Sequence, residues 1–179
     1  AVDARGAVFV GAADGFAIED RVTHALDTTG RGLVTWTAGN VYVTQASGSI
    51  QRGVDAVAAS GTVNVAGGSY IQAATLNVNR GVTLAGSGQG STVIDARGVS
   101  GNGINVTSDN VSLKDFTLYG PSADVAGSYG IKVAPASNAS SARLRNFSIS
   151  NVTSRGAGRA ELDLNGVDGA LIDRVTADG

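Results

Sequence analysis

The chain has 179 residues, 42% of them apolar, enough for one domain with a continuous core and an argument against two full-sized ones. Thirteen basic side chains against fifteen acidic ones leave a formal charge of -2, so there is no excess to hold a nucleic-acid backbone or an anionic membrane. Glycines number 26 and cysteines none, which points to a turn-rich β protein and excludes a disulfide framework, thiolate catalysis and cysteine metal sites.

Residues 1–48 follow no clean period. Short β-like runs occur at 7–10, 33–36 and 41–43, and residues 19–26 read as a short helix or a loop. This segment is either a small β layer on the flank of the domain or an arm that pairs with another molecule. The start at Ala1-Val2-Asp3 rather than Met fits a removed signal peptide, and also a piece cut from a longer chain; export is the reading adopted. No apolar run approaches the ~20 residues that span a bilayer, so membrane insertion is not expected.

Residues 49–60 read as a capping helix. Ser49 is the expected N-cap, and Ile50, Val54, Val57 and Ala58 fall on one helical face. Such a helix covers apolar side chains and strand edges that a stack of strands exposes at its end.

From residue 61 the chain repeats itself. Leu76-Asn77-Val78, Ile104-Asn105-Val106, Ile131-Lys132-Val133 and Leu162-Asp163-Leu164 recur at steps of 28, 27 and 31 residues. A second series superposes Val111–Leu118, Ala142–Ile149 and Ala170–Ala177, aligning Leu113 with Leu144 and Ile172, and Phe116 with Phe147 and Val175. Val82-Thr83-Leu84 continues it backwards by 29 residues. Alternating apolar side chains mark short strands, and glycine- and asparagine-rich corners separate them. A unit of about 30 residues cannot bury its own apolar face, whereas stacked units can. The expected fold is therefore an all-β, parallel β-solenoid of about 4–5 turns, covering residues 61–179 and open at its C-terminal end.

The residues at 50–70, then Gly81-Val-Thr-Leu-Ala-Gly-Ser-Gly-Gln-Gly-Ser-Thr-Val-Ile-Asp95, and Gly103-Ile-Asn-Val106 followed by Val111-Ser-Leu113 resemble the opening coils of a right-handed parallel β-helix of the pectate-lyase-like superfamily. The resemblance covers about residues 49–179 and implies the hand of the helix. It implies little about chemistry, because that superfamily includes lyases, polygalacturonases and epimerases as well as adhesins, tailspikes and fibre-forming proteins.

The polygalacturonase-like branch implies clustered aspartates and a nearby histidine. The only histidine, His24, lies outside the repeats and is read as a surface or loop imidazole. The lyase branch implies an Arg or Lys base beside acids that hold calcium. The outward column Asn77, Asn105, Lys132, Asp163 offers one carboxylate and one amine, while the column Thr83, Ser112, Arg143, Leu171 offers one cation and no acid. Calcium wants six to eight oxygens, so no metal site is expected, and calcium enters only as the cofactor a lyase would need. Lys132, Asp163 and Arg143 are the catalytic candidates of that alternative, with Arg155 and Arg159 near the cleft.

Stacking of Lys114, Arg145 and Asp173, and of Asp115, Asn146 and Arg174, is expected to lace the corners with charge, Arg145 meeting Asp173. Gly86–Gly90 lacks the Lys-Ser/Thr ending of a phosphate loop and reads as a turn. Asn105, Asn110, Asn138, Asn146 and Asn151 begin Asn-x-Ser/Thr triplets that a glycosylating host could use. Tyr119 and Tyr129, with Asn105, are the candidates for stacking on a glycan.

Without a catalytic cluster, the expected function is structural: an extracellular or cell-surface β-helix module that assembles with other copies of itself, end to end or by arm exchange, into a fibre, sheath or adhesin. Ala170, Ile172, Val175 and Ala177 of the open turn, with Phe9 and Val10 of the N-terminal segment, are the assembly candidates. The alternatives are a polysaccharide lyase or epimerase fragment and a glycan-binding module; a further possibility for the open turn is that more turns follow in a longer chain.

Overall fold

The computed structural model describes residues 1–123, 128–137 and 142–179. It is mostly β, its strands pair in parallel, and they do not close into a barrel. At the start, β1 (Val2–Asp3) and β2 (Val34–Thr35) form a two-stranded pair with α1 (Gly15–Glu19) between them in sequence. Asp14 caps α1 by accepting from the N–H of Ala17 at 2.8 Å. The β-like run expected at 7–10 is not a strand. Phe9 turns inward to pack edge-on against Trp36 at 6.2 Å, while Val8 and Val10 face outward, so the alternation serves one aromatic contact rather than a sheet.

The large sheet begins earlier than residue 61. β3 (Asn40–Val43) pairs with β4 (Thr62–Val65), Val41 opposite Val63 and Val43 opposite Val65. Between them, α2 (Ile50–Ala56) starts at Ser49, whose side chain accepts from Arg52 N. Ile50, Val54 and Val57 are buried as expected, but Ala58 is exposed and Gly53 takes the inner face instead. A methyl on Gly53 would lie 2.7 Å from a methyl of Val43 and 2.9 Å from one of Val63. Only a glycine lets the helix sit so closely on the first strands.

The chain then runs through β5 (Gly68–Ile71), β6 (Leu76–Val78), β7 (Thr83–Ala85), β8 (Thr92–Asp95), β9 (Ile104–Val106), β10 (Ser112–Tyr119), β11 (Tyr129–Val133), β12 (Leu144–Arg145), β13 (Ser148–Arg155), β14 (Ala160–Leu164), β15 (Val167–Asp168) and β16 (Leu171–Asp178). The eight-stranded sheet has the order β16-β13-β10-β7-β4-β3, with β8 pairing β10 and β5 pairing β8. A four-stranded sheet has the order β14-β11-β9-β6, and β12 pairs β15. Each strand therefore lies beside one from the next or previous repeat, and side chains of one pleat face stack into columns.

Two columns make the core. Leu76, Ile104 and Ile131 stack with Leu162, and Val41, Val63, Leu84, Leu113 and Ile149 stack with Ile172. All are buried except Leu162, which is half-buried, and Ile172, which is exposed. Burying one such side chain contributes about 1.5–3 kcal/mol. These ladders are the main reason the repeats stack.

The first repeated series has the register expected from sequence, and the second does not. Leu113 pairs with Ile149, not Leu144, and Phe116 with Val152, not Phe147, so the steps are 36 and 23 residues. Leu144-Arg145-Asn146-Phe147 and Ile149-Ser150-Asn151-Val152 have the same pattern, two apolar residues around a polar pair with asparagine third. Both asparagines have left-handed backbones, φ 56° at Asn146 and 53° at Asn151. The first run belongs beside Asp109-Asn110: Asn110 N donates to Arg145 O, Arg145 N to Asp109 Oδ1, and Asn146 Nδ2 to Asn110 Oδ1. Arg145 consequently does not meet Asp173. Lys114, Ser150 and Asp173 form that column instead, followed at the bend by Asp115, Asn151 and Arg174.

Candidate functional site

The outward column Asn77, Asn105, Lys132, Asp163 is in register across β6, β9, β11 and β14. Lys132 Nζ donates to Asp163 Oδ2 at 2.9 Å and lies 4.5 Å from the centroid of the Tyr129 ring. Arg159 approaches the same ring at 5.2 Å. At the other end of the column, the Gln51 side chain accepts from Asn77 N at 2.7 Å and donates to Asn77 O at 3.1 Å, so one amide does for the edge of β6 what a neighbouring strand would do. Asn105 Nδ2 reaches Asn77 Oδ1 only at 3.5 Å.

Arg143 does not join this group. The place expected for it beside Ser112 is held by Ser148, and its guanidinium lies 3.8 Å from Asp168 at the β12–β15 pair. Of the three catalytic candidates, Lys132 and Asp163 meet and Arg143 belongs to another sheet.

Tyr119 ends β10 between Asp95 and Arg155 of the adjacent strands. The Arg97 guanidinium sits 5.0 Å from its ring centroid and that of Arg155 5.8 Å. Arg97 also grips Asp95 with two hydrogen bonds, at 3.0 and 2.6 Å, which holds the Asp95 carboxyl below its usual range and raises the arginine. Both tyrosines named as sugar platforms therefore carry cations of the chain itself. Gly120 and Pro121 are tied to the corner after β13 through Gly120 N to Arg155 O and Gly158 N to Pro121 O. Residues 124–127 of that loop lie outside the described residues.

His24 is not a surface imidazole: it is 2% exposed. Its Nδ1 accepts from Val34 N at 3.1 Å, which places the ring proton on Nε2, 3.0 and 3.1 Å from the two oxygens of buried Glu19. Asp27 accepts from His24 N at 2.8 Å. Glu19, His24 and Asp27 lie close enough to surround an ion, but with Nδ1 taken by a backbone donor the other nitrogen keeps its proton and offers no lone pair. The group fastens the N-terminal segment instead. The sequence signal was weak, a lone histidine among acids in an aperiodic stretch.

Asparagines read as sequons have backbone reasons to be there. Asn110, Asn146 and Asn151 all have φ between 53° and 59°, a conformation asparagine tolerates better than most residues. Asn105 is half-buried on its strand, and Asn138 lies outside the described residues.

The assembly candidates fall on opposite edges of the large sheet. On β16, Ile172 is 48% and Leu171 61% exposed, Val175 is half-buried, and Ala177 is exposed, as is Ala170 just before the strand. Phe9 is half-buried on Trp36 and Val10 exposed beside the β3 edge. That edge is covered: Phe16 of α1 packs edge-on against Tyr42 at 5.4 Å, Tyr42 stacks on Trp36 at 5.7 Å, and Arg52 of α2 donates to Asp27 O and Thr29 Oγ1. The segment read as a flank layer or an arm is thus packed as a lid on the first strands.

Comparison with family models, with curated proteins and with solved structures finds no match. The likeness to the pectate-lyase-like superfamily therefore rests on the quoted residues alone.

Proposed function

We propose that the chain is a right-handed parallel β-helix serving as an extracellular or cell-surface structural module, a fibre, sheath or adhesin subunit that associates with other copies of itself through the uncovered end of its stack. The in-register parallel strands support the helix. One observation carries the function: the column residue Ile172 is 48% exposed while Val63, Leu84, Leu113 and Ile149 of the same column are fully buried. An apolar ladder that runs out into water, with a strand edge beside it, is a surface suited to pairing with another strand.

The lyase and glycan-binding alternatives draw less support. Lys132 is engaged by Asp163 and Tyr129, Arg143 is elsewhere, and the tyrosine rings are already covered by cations.

The test is light scattering on a sizing column across a wide concentration range, with negative-stain imaging. Species heavier than the 17.8 kDa chain that grow in proportion with concentration are expected, and Ile172→Lys should return them to monomer. A monomer at every concentration would refute the proposal.

A further inference from the structure

The two ends of the stack differ in a way that selects a geometry of association. At the first strands the edges are closed: the Gln51 amide occupies both main-chain groups of Asn77, Arg80 Nη1 donates to Asp55 O and Val57 O, and α1 and α2 lie over β3 and β4. At the last strands, no further strand pairs with β16 or β14 among the described residues. A head-to-tail contact would press the open edge against a face already satisfied. A tail-to-tail contact joins two edges that both lack a neighbour.

The sequence of β16 is self-complementary about its own bend. Asp173 and Arg174 are adjacent and exposed, 3.2 Å apart. Antiparallel pairing of two β16 strands about a two-fold axis between these residues sets Asp173 against Arg174 of the second copy, and the reverse. It also sets Ile172 against Val175 and Ala170 against Ala177, so that apolar meets apolar on the inner face. An axis through the bend exchanges the two arms of the strand, so the bend itself is no obstacle. Such an isologous contact closes as a pair.

A second observation concerns Arg174. Its backbone is left-handed, φ 48°, at the column position held by Asp115 and Asn151, where Asn151 Nδ2 donates to Asp115 Oδ1 at 2.8 Å. An asparagine would extend that ladder at lower strain; an arginine breaks it and projects a charge from the free edge. Strain at one position, where the neighbouring rungs use better-suited residues, points to a role beyond the fold. The remaining acids near this end are largely answered within the chain: Asp163 by Lys132, Asp168 by Arg143, and Glu161 by Ser154 Oγ and Ala157 N. Asp173 and Arg174 are left as the charge pair at the open edge.

We infer that two copies of the chain join tail to tail through antiparallel β16 edges, with reciprocal Asp173–Arg174 pairs across the two-fold. This rests on the association reading above and names its partner surface.

The experiment is sedimentation of the 179-residue chain with Asp173→Arg, Arg174→Asp, the double exchange and Arg174→Asn, each checked for folding by circular dichroism. A discrete dimer is expected, weakened at least tenfold by either single reversal and by Arg174→Asn, and restored by the double exchange. Arg174→Asn suits the backbone, so its folding is secure and a loss of dimer in it reports the contact. Filaments or larger open species would overturn the tail-to-tail pair while leaving self-association standing. A dimer indifferent to the single reversals, or not rescued by the exchange, would overturn the pairing, and a monomer throughout would overturn both readings.

Discussion

Left-handed corners are where individual residues matter most in this chain. Asp115, Asn151 and Arg174 occupy one column at the bend of the long strands, with φ of 63°, 53° and 48°, and a non-glycine side chain in that conformation costs roughly 1–2 kcal/mol unless it is one of the few that tolerate it. Asparagine is such a residue and can add a side-chain hydrogen bond to the rung below, as Asn151 does to Asp115. Arg174→Asn should therefore raise stability by about 1 kcal/mol, seen as an upward shift of the thermal midpoint of the monomer. A lowered midpoint would mean that Arg174 already makes contacts worth more than the strain. Gly86 shows the opposite constraint: a methyl there would collide with the main-chain carbonyl of Asp115. The run once open to a phosphate-loop reading is a turn because the next rung's backbone presses against it.

Among the elements, α2 and its loop do the work of a strand. The Gln51 amide matches the donor and acceptor of Asn77 on β6, while Gly53 allows the helix axis to lie close over Val43 and Val63. Gln51→Ala should free both main-chain groups at the price of about 0.5–1.5 kcal/mol, since this edge is reached by water. Amide hydrogen exchange should quicken at Asn77 and leave the interior strand β9 unchanged. Equal exchange at Asn77 in the two proteins would mean that the side chain does not protect the edge. The capping role was legible beforehand from Ser49 and the apolar face at Ile50, Val54 and Val57. Gln51 was not, because a polar residue on the outer side of a helix has no periodic signature.

For the whole molecule, the ladder from Val41 to Ile172 sets a gradient of burial. Ile149 is fully enclosed, while Ile172, one rung later, is 48% exposed. Ile149→Ala should cost about 2–5 kcal/mol, the usual range for emptying a packed site, and Ile172→Ala distinctly less in dilute solution, where the protein is monomeric. Chemical denaturation of both variants tests this. If self-association covers Ile172, the gap between them should narrow as protein concentration rises, because a contact made only in the folded pair stabilises by mass action.

The repeats themselves declared a parallel stack. The column Asn77, Asn105, Lys132, Asp163 and its flanking apolar residues could be aligned from sequence because those four strands keep nearly the same spacing and carry one strand motif per repeat. The second series could not, because Leu144–Phe147 and Ile149–Val152 present the same apolar-polar-asparagine-apolar pattern within five residues, and local patterning has no means of ranking them. Only the tertiary structure decides, by placing Ile149 over Leu113 and pairing Asn146 with Asn110. The burial of His24 is of the same kind: its partners Glu19 and Val34 are brought to it by packing of the aperiodic segment against β3. Periodicity is a property of the chain and can be read along it, whereas the choice among equivalent registers, and the pairing of side chains outside any period, depend on what lies across the fold.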